Sequence, residues 1–267
     1  MDNKKQLSLE EILELEPPHS HFELQAYQGA TKHLGGLKVT NELIELCHIN
    51  KDKYVLDVGC GVGVTSCYIA KRNGCRVVGV DISERMIDRS NERAKREGVE
   101  NMVEFKVADA QSLPFEHALF DAVIGESITT FLEDKQKAVK EYIRVLKPEG
   151  YVGLNEETWI ETSPPAELVE YLYRTMKAEI PTSDGWKEFL EGSGLSDIVV
   201  KIYKINVLSE FVNRIRQLGL NDFLRSLYGS VSLYIVNPAV RKFLKKRLPP
   251  PKNIFEYLGC IICVGKK

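Results

Sequence analysis

Short apolar runs alternate with helical patterns through the middle of the chain. Val55, Leu56 and Val58 form a strand-like run bounded by turn residues, and Cys67, Tyr68, Ile69 and Ala70 begin a helical pattern just past Gly59, Gly61 and Gly63. Further strands are predicted at 76–81, 103–107, 118–125 and 151–155. Helices are predicted from Ser83 to Glu97, closed by Gly98, and over 135–147, stopped by Pro148 and Gly150. This alternation calls for an α/β fold with a mainly parallel sheet covered on both faces. Ligands of such sheets lie outside the carboxyl ends of the strands, where Gly59, Asp81, Asp109 and Glu126 all fall.

The flanks follow other patterns. Residues 7–16 read as a helix with Ser8 and Glu11 at capping-box spacing, ended by Pro17-Pro18. A polar and aromatic segment containing His19, His21, Tyr27 and His33 precedes a helix over 37–48. Beyond the core come helices at 164–180 and 186–191, a strand at 197–205 and a last strand at 255–264. Between those two strands, residues 206–253 read as helical. Leu208, Phe211, Val212 and Ile215 share one face, Phe223, Leu224, Leu227 and Tyr228 a second, and Val240, Phe243, Leu244 and Leu248 a third, after Asn237-Pro238. The chain thus divides into N-terminal helices and lid (1–50), core (51–205), helical insertion (206–253) and a returning last strand (254–267).

The loop between the first strand and its helix carries the most chemistry. Glycines there let the chain turn sharply and let a ligand lie on the main chain, and the helix start offers unpaired N–H groups. The spacing is Gly-x-Gly-x-Gly. Val64 stands where the dinucleotide fingerprint has its third glycine, which disfavours an NAD-dependent oxidoreductase. Asp57, a carboxylate inside an apolar strand, either braces this loop or meets a cationic ligand. Asp81 ends the next strand at the distance where ribose-binding acids sit.

Five motifs in order carry a family resemblance: Leu56-Asp57-Val58-Gly59-Cys60-Gly61, Val78-Gly79-Val80-Asp81, Ala108-Asp109-Ala110 leading to Leu113-Pro114-Phe115, Phe120-Asp121-Ala122-Val123, and Leu146-Lys147-Pro148 with Gly150-Tyr151. The chain resembles the class I S-adenosylmethionine-dependent methyltransferases over about residues 20–205, in particular the small-molecule branch with the ubiquinone/menaquinone and sterol enzymes. The resemblance implies a seven-stranded Rossmann-like sheet with S-adenosyl-L-methionine as cofactor. It implies a cofactor site of Asp57, Gly59, Cys60, Gly61, Gly63, Asp81, Ile82, Asp109, Ala110, Gln111 and Glu126. Asp81 would take the ribose hydroxyls, Asp109 the adenine amino group and the Ala110 backbone a ring nitrogen. It also makes Tyr27 and His33 of the lid, with Glu126, candidate catalytic residues, although loop histidines are as readily solvated bystanders. Glu126, Glu156 and Glu157 could each serve as base or cation ligand, the alternatives being a structural role for Glu126 and loop solvation for Glu157. Glu126-Ser127-Ile128-Thr129 lacks the Asn/Asp-Pro-Pro-Tyr of enzymes that methylate adenine or glutamine, so the expected acceptor is a small molecule and not nucleic acid, and a lipophilic one would suit the aromatic lid and apolar insertion. A cofactor-binding partner protein that transfers nothing is the alternative.

Composition narrows the partners. With 267 residues, 43% hydrophobic and 28% charged, and a net charge of −2, the chain reads as soluble and not generally nucleic-acid-binding. No apolar run reaches membrane-spanning length, so the expected location is cytoplasmic. The six cysteines lack paired zinc spacing, and no metal is expected. On a strand, Cys260 and Cys263 would face opposite sides. The insertion holds nine basic residues against Glu210 and Asp222. Its basic helix near 238–248 is read as a solvated surface over an apolar pocket cap, a peripheral membrane contact or a homodimer contact.

Overall fold

The computed structural model describes residues 8–15, 19–28, 33–245 and 251–267. The expected ends of the first helix at residues 7 and 16, its stop at Pro17-Pro18, and residues 246–248 of the basic helix, Leu248 included, lie outside these residues. Five parallel strands form the core: β1 (Tyr54–Val58), β2 (Arg76–Asp81), β3 (Val103–Val107), β4 (Phe120–Glu126) and β5 (Leu146–Trp159). Two more, β6 (Ser196–Lys204) and β7 (Leu258–Lys266), complete a sheet of order β3-β2-β1-β4-β5-β7-β6, with β7 antiparallel to both neighbours. The first crossover from β1 opens toward β2 and the next toward β4, so the carboxyl ends of these three strands frame a crevice where the order reverses.

Helices cover both faces. α1 (Leu9–Glu14), α2 (His19–Gln28) and α3 (Gly36–Leu46) precede the sheet, and α4 (Val64–Asn73), α5 (Glu84–Glu97) and α6 (Lys135–Val145) link its strands. α7 (Ala166–Met176) and α8 (Ser183–Gly192) follow β5. Val39, Leu43, Cys67, Ile69 and Ile87 pack on one face of the sheet, and Ala138, Tyr142, Trp186 and Leu190 on the other. Local signals set the helix ends. Ser8 and Glu11 form the expected capping box, Gly98 closes α5 in the left-handed conformation, and Thr182 accepts from Gly185 N to start α8.

Three expectations are corrected. The segment at 19–28 is helical, so His19 and His21 sit on α2 instead of a loop. β5 runs to Trp159, four residues past its expected end at Asn155, because Glu156 to Trp159 pair with Ile261 to Leu258 of β7. Glu157 is consequently a buried strand residue, not a solvated loop residue. The insertion comprises α9 (Val207–Leu218), α10 (Leu220–Val236), α11 (Pro238–Lys245) and the single turn α12 (Ile254–Tyr257). α9 packs on α3, α10 on α2 and α11 on α1. Only part of its apolar surface turns inward. Phe223 and Val240 are buried, whereas Leu208, Phe211, Leu224, Leu227 and Tyr228, expected to cap a pocket, are exposed.

All six cysteines are free and buried, and Cys260 and Cys263 fall into the cores on opposite faces of β7, as the strand period required. Burial pushes the Cys47 thiol up to about 12. Among the described residues no group of His, Cys, Asp and Glu is arranged to hold a metal, and no helix is long and apolar enough to cross a membrane.

Candidate active site

The glycine loop is held from three sides. Gly59 N and Cys60 N donate to Val80 O at 2.8 and 2.9 Å, tying the loop to the end of β2. Asp81 Oδ2 accepts from Gly61 N at 3.0 Å, and its other oxygen from Ser83 N at 2.9 Å. From α5, Ser90 Oγ donates to Gly61 O at 2.7 Å and Arg93 Nε to Val62 O at 2.9 Å. Gly59 and Gly63 have φ of +70° and +73°, a region that L side chains avoid. A Cβ at Gly59 would come within 2.7 Å of Ile128 Cγ1, and one at Gly63 within 2.8 Å of the Phe105 ring. The loop is therefore closed to side chains by both conformation and space.

Asp57 braces this loop. It is 2% exposed and accepts from Ser66 Oγ of α4 at 2.5 Å. Burial, opposed by that hydrogen bond and reinforced by the charges of Glu126 and Asp81, pushes its carboxyl up to about 7. Burial also raises Asp81, against the two backbone N–H groups it accepts.

Along the carboxyl edge the remaining cofactor candidates fall in a row. Ile82 directly follows Asp81 and is 69% exposed, a large apolar side chain held out beside the loop. Asp109 accepts from Gln111 N at 2.8 Å and Ala110 is buried behind it. Gln111 Oε1 in turn accepts from Asp134 N, linking this loop to the start of α6. The cofactor that the sequence resemblance implies is S-adenosyl-L-methionine, and the groups of this row suit it. Asp81 at the end of β2 stands against the loop through Gly61 N, and Ile82 next to it offers an uncovered apolar surface.

Glu126, at the end of β4, is the centre of a buried polar cluster. Its Oε1 accepts from Thr40 Oγ1 at 2.9 Å and Asn155 Nδ2 at 3.1 Å, and its Oε2 from Thr65 Oγ1 at 2.6 Å. His33 Nδ1 stands 3.7 Å from Oε2, and His33 Nε2 lies 3.2 Å from Thr40 Oγ1. Asn155 also donates to Leu34 O at 3.0 Å, fixing the backbone next to His33. The structure thus brings two of the three catalytic candidates together. Tyr27 stands apart from them: its carbonyl accepts from Arg89 and its ring lies 5.2 Å under the Arg85 guanidinium, both on α5. Phe22, which the sequence did not single out, is the α2 aromatic that reaches the loop after β4, packing edge-on against Phe131 at 5.2 Å.

Glu156 has a structural task. Its carboxylate accepts from the N–H groups of Ile128, Thr129 and Thr130 at 3.3, 2.8 and 3.0 Å, capping the short 3-10 turn Thr129–Phe131. Burial still raises its carboxyl. Thr40, Thr65 and Asn155 were missed because hydroxyl and amide residues are unremarkable in sequence: Asn155 gains its role from the register Glu126↔Asn155, and Thr40 and Thr65 from the packing of α3 and α4 beside it.

Residues 56–154, from β1 through the core of β5, match the family model for a methyltransferase domain. This stretch is similar to methyltransferase domains. It contains the whole cofactor row and Glu126, while His33 and the insertion lie outside it. An uncharacterized protein of Haemophilus influenzae is 34% identical over 168 residues, 61% of this chain and 66% of that one. Phosphoethanolamine N-methyltransferase 1 of Arabidopsis thaliana is 28% identical over 203 residues, 74% of this chain and 41% of that one. The chain thus spans about two thirds and two fifths of these curated relatives' lengths. Among solved structures, the [4+2]-cyclase SpnF superposes with a TM-score of 0.71 at 19% identity, over 93% of this chain and 92% of that one, a likeness of fold alone.

Proposed function

We propose that this chain transfers the methyl group of S-adenosyl-L-methionine to a small acceptor with an apolar body. The observation that carries this reading is the row of glycine loop, Asp81, Ile82 and Asp109 at the carboxyl edge, with the Glu126 cluster beside the loop. When bound, the cofactor supplies an already activated methyl group, so the protein's work is to align the acceptor and keep the site dry, and orientation of this kind contributes roughly 7 to 11 kcal/mol.

The chain's own groups divide that work. Asp57 and Asp81 hold the loop open. Glu126, a buried carboxylate fixed by three donors, puts negative charge beside the loop, where a cation is favoured. His33 stands beside this carboxylate, and it takes a proton from the acceptor where the nucleophile is a hydroxyl, an acidic carbon or a protonated amine. Tyr27, pinned to α5, closes the lid over the edge of the site.

Two features support an acceptor with an apolar body. A cavity of about 800 Å³ beyond the end of β5 is lined by Trp159, Val169, Leu172, Tyr173 and Ile180, and Trp159 lies on the same face of β5 as Asn155. The resemblance to quinone and sterol methyltransferases agrees with this, as does norajmaline, the acceptor in one relative's name, whereas phosphoethanolamine, in another's, is a small polar acceptor. Nucleic acid is not among the partners in this reading.

Calorimetric titration with S-adenosylmethionine, S-adenosylhomocysteine and NADH tests it. Micromolar binding of the two sulfur nucleotides without NADH is expected, followed by transfer of labelled methyl to a lipophilic acceptor. Binding of NADH alone would overturn the reading in favour of an oxidoreductase. A second reading is cofactor binding without methyl transfer; binding with no transfer to any acceptor class would select it.

A further inference from the structure

The least compensated surface of the molecule is the outer face of the insertion. On α10, Leu224, Tyr228, Val231 and Ile235 recur at intervals of four, three and four residues and are 50%, 77%, 48% and 66% exposed, and Val236 at the helix end is 75% exposed. This is one continuous apolar stripe of a helix whose opposite side, through Phe223 and Ser226, is buried. Basic residues adjoin its end. Arg241 Nη1 donates to Tyr234 O at 3.1 Å and Ile235 O at 2.5 Å, so the start of α11 is fastened to the end of α10. Arg241, Lys242 and Lys245 then line, with Pro238, a shallow depression of about 420 Å³.

Charge discriminates between the possible occupants of this stripe. Residues 206–253 carry nine basic side chains against two acidic ones in a chain whose net charge is −2. Pairing two copies through the stripe would bring two strongly basic insertions together, whereas an anionic surface compensates them. An apolar stripe that ends in a basic cluster is the arrangement by which a helix lies in the interface of an anionic bilayer, its apolar side among the acyl chains and its lysines against lipid phosphates.

We propose that α10 and the start of α11 form a docking surface for an anionic lipid bilayer, with the α10 stripe inserted and Arg241, Lys242 and Lys245 against the headgroups. The surface lies on the insertion and not in the cofactor row, so the proposal stands whether or not the methyl-transfer reading holds. It would let the protein meet a lipophilic molecule where such molecules partition.

Flotation of the full chain with phosphatidylcholine vesicles, with and without phosphatidylglycerol, tests the proposal. Binding is expected only with the anionic lipid and is expected to weaken at high salt. The Lys242→Glu/Lys245→Glu variant should reduce partitioning by at least roughly 25-fold, about fivefold per lysine. Tyr228→Ser/Ile235→Ser should also reduce it while leaving thermal stability and cofactor titration unchanged. Absence of binding, equal binding to neutral vesicles, or full binding by the lysine variant would overturn it. So would a lipid-free dimer in sedimentation velocity that Tyr228→Ser/Ile235→Ser dissociates, because a second copy would then cover the stripe.

Discussion

Asn155 joins the two halves of the candidate site through one side chain: as the register partner of Glu126, it donates to Glu126 Oε1 at 3.1 Å and to Leu34 O at 3.0 Å. Because both bonds use the same amide nitrogen, the carboxylate at the end of β4 and the segment bearing His33 are held by a single fully buried residue. A hydrogen bond to a charged group contributes about 1.5 to 3 kcal/mol. Asn155→Ala should therefore lower folding stability by about that much, and amide exchange around residues 33–36 should accelerate while the sheet stays protected. Denaturant unfolding and hydrogen exchange read the two effects. Unchanged exchange at the His33 segment would mean that α2 and α9 hold it without Asn155.

Gly59 sits where the chain turns from β1 into the loop, at a φ of +70° and with Ile128 blocking the Cβ position. Gly59→Ala should cost about 1 to 2 kcal/mol for the left-handed backbone alone. Ile128 must move as well, and it leads into the turn capped by Glu156. Cofactor affinity should fall by on the order of tenfold or more, since each 1.4 kcal/mol is tenfold. Calorimetric titration and thermal unfolding measure the two losses, and a variant that binds normally would remove the loop from the cofactor site.

The contrast between these two residues marks what can be read from sequence. Gly59, Asp81 and the strands around them are legible because turn chemistry and strand period are local: a few neighbouring residues determine each. The full length of β5 is not, since Glu156 to Trp159 are strand only through pairing with β7, about a hundred residues later in the chain. The helix α2 escaped for the opposite reason, a polar segment whose order comes from docking on α5, as in the bond from Arg89 to Tyr27 O. Thr40, Thr65 and Asn155 became site residues only when three separate elements brought them to one carboxylate.

Asp57 gives a pH dependence with a defined sign. Its ordinary value is 3.8 and burial raises it to about 7 in the folded chain. Between these values the folded state keeps a proton that the unfolded state has lost. The associated stability is complete below the unfolded value, is lost as pH rises toward 7 and is constant above it. At about 1.36 kcal/mol for each unit, the decline between pH 5 and pH 8 should be about 2 to 3 kcal/mol. Asp57→Asn, which keeps the shape and a partner for Ser66, should flatten that decline. Urea unfolding of both proteins at the two pH values checks it, and parallel curves would show that Asp57 is ionised in the folded chain throughout.

Ile82 separates a binding role from a folding role. Large apolar side chains next to a strand end are normally covered, yet Ile82, one residue past β2, is 69% exposed while Val80 within the strand is buried. Ile82→Ser removes little that the folded chain buries, so stability should change by no more than about 0.5 kcal/mol. If a base lies on this side chain, the substitution forfeits the apolar area covered on binding, about 1 kcal/mol for a partly covered side chain, and affinity for S-adenosylhomocysteine should weaken about fivefold. Binding unchanged with stability unchanged would move the base elsewhere along the row, toward Asp109. A loss of stability without loss of binding would give Ile82 a folding role instead of a binding one.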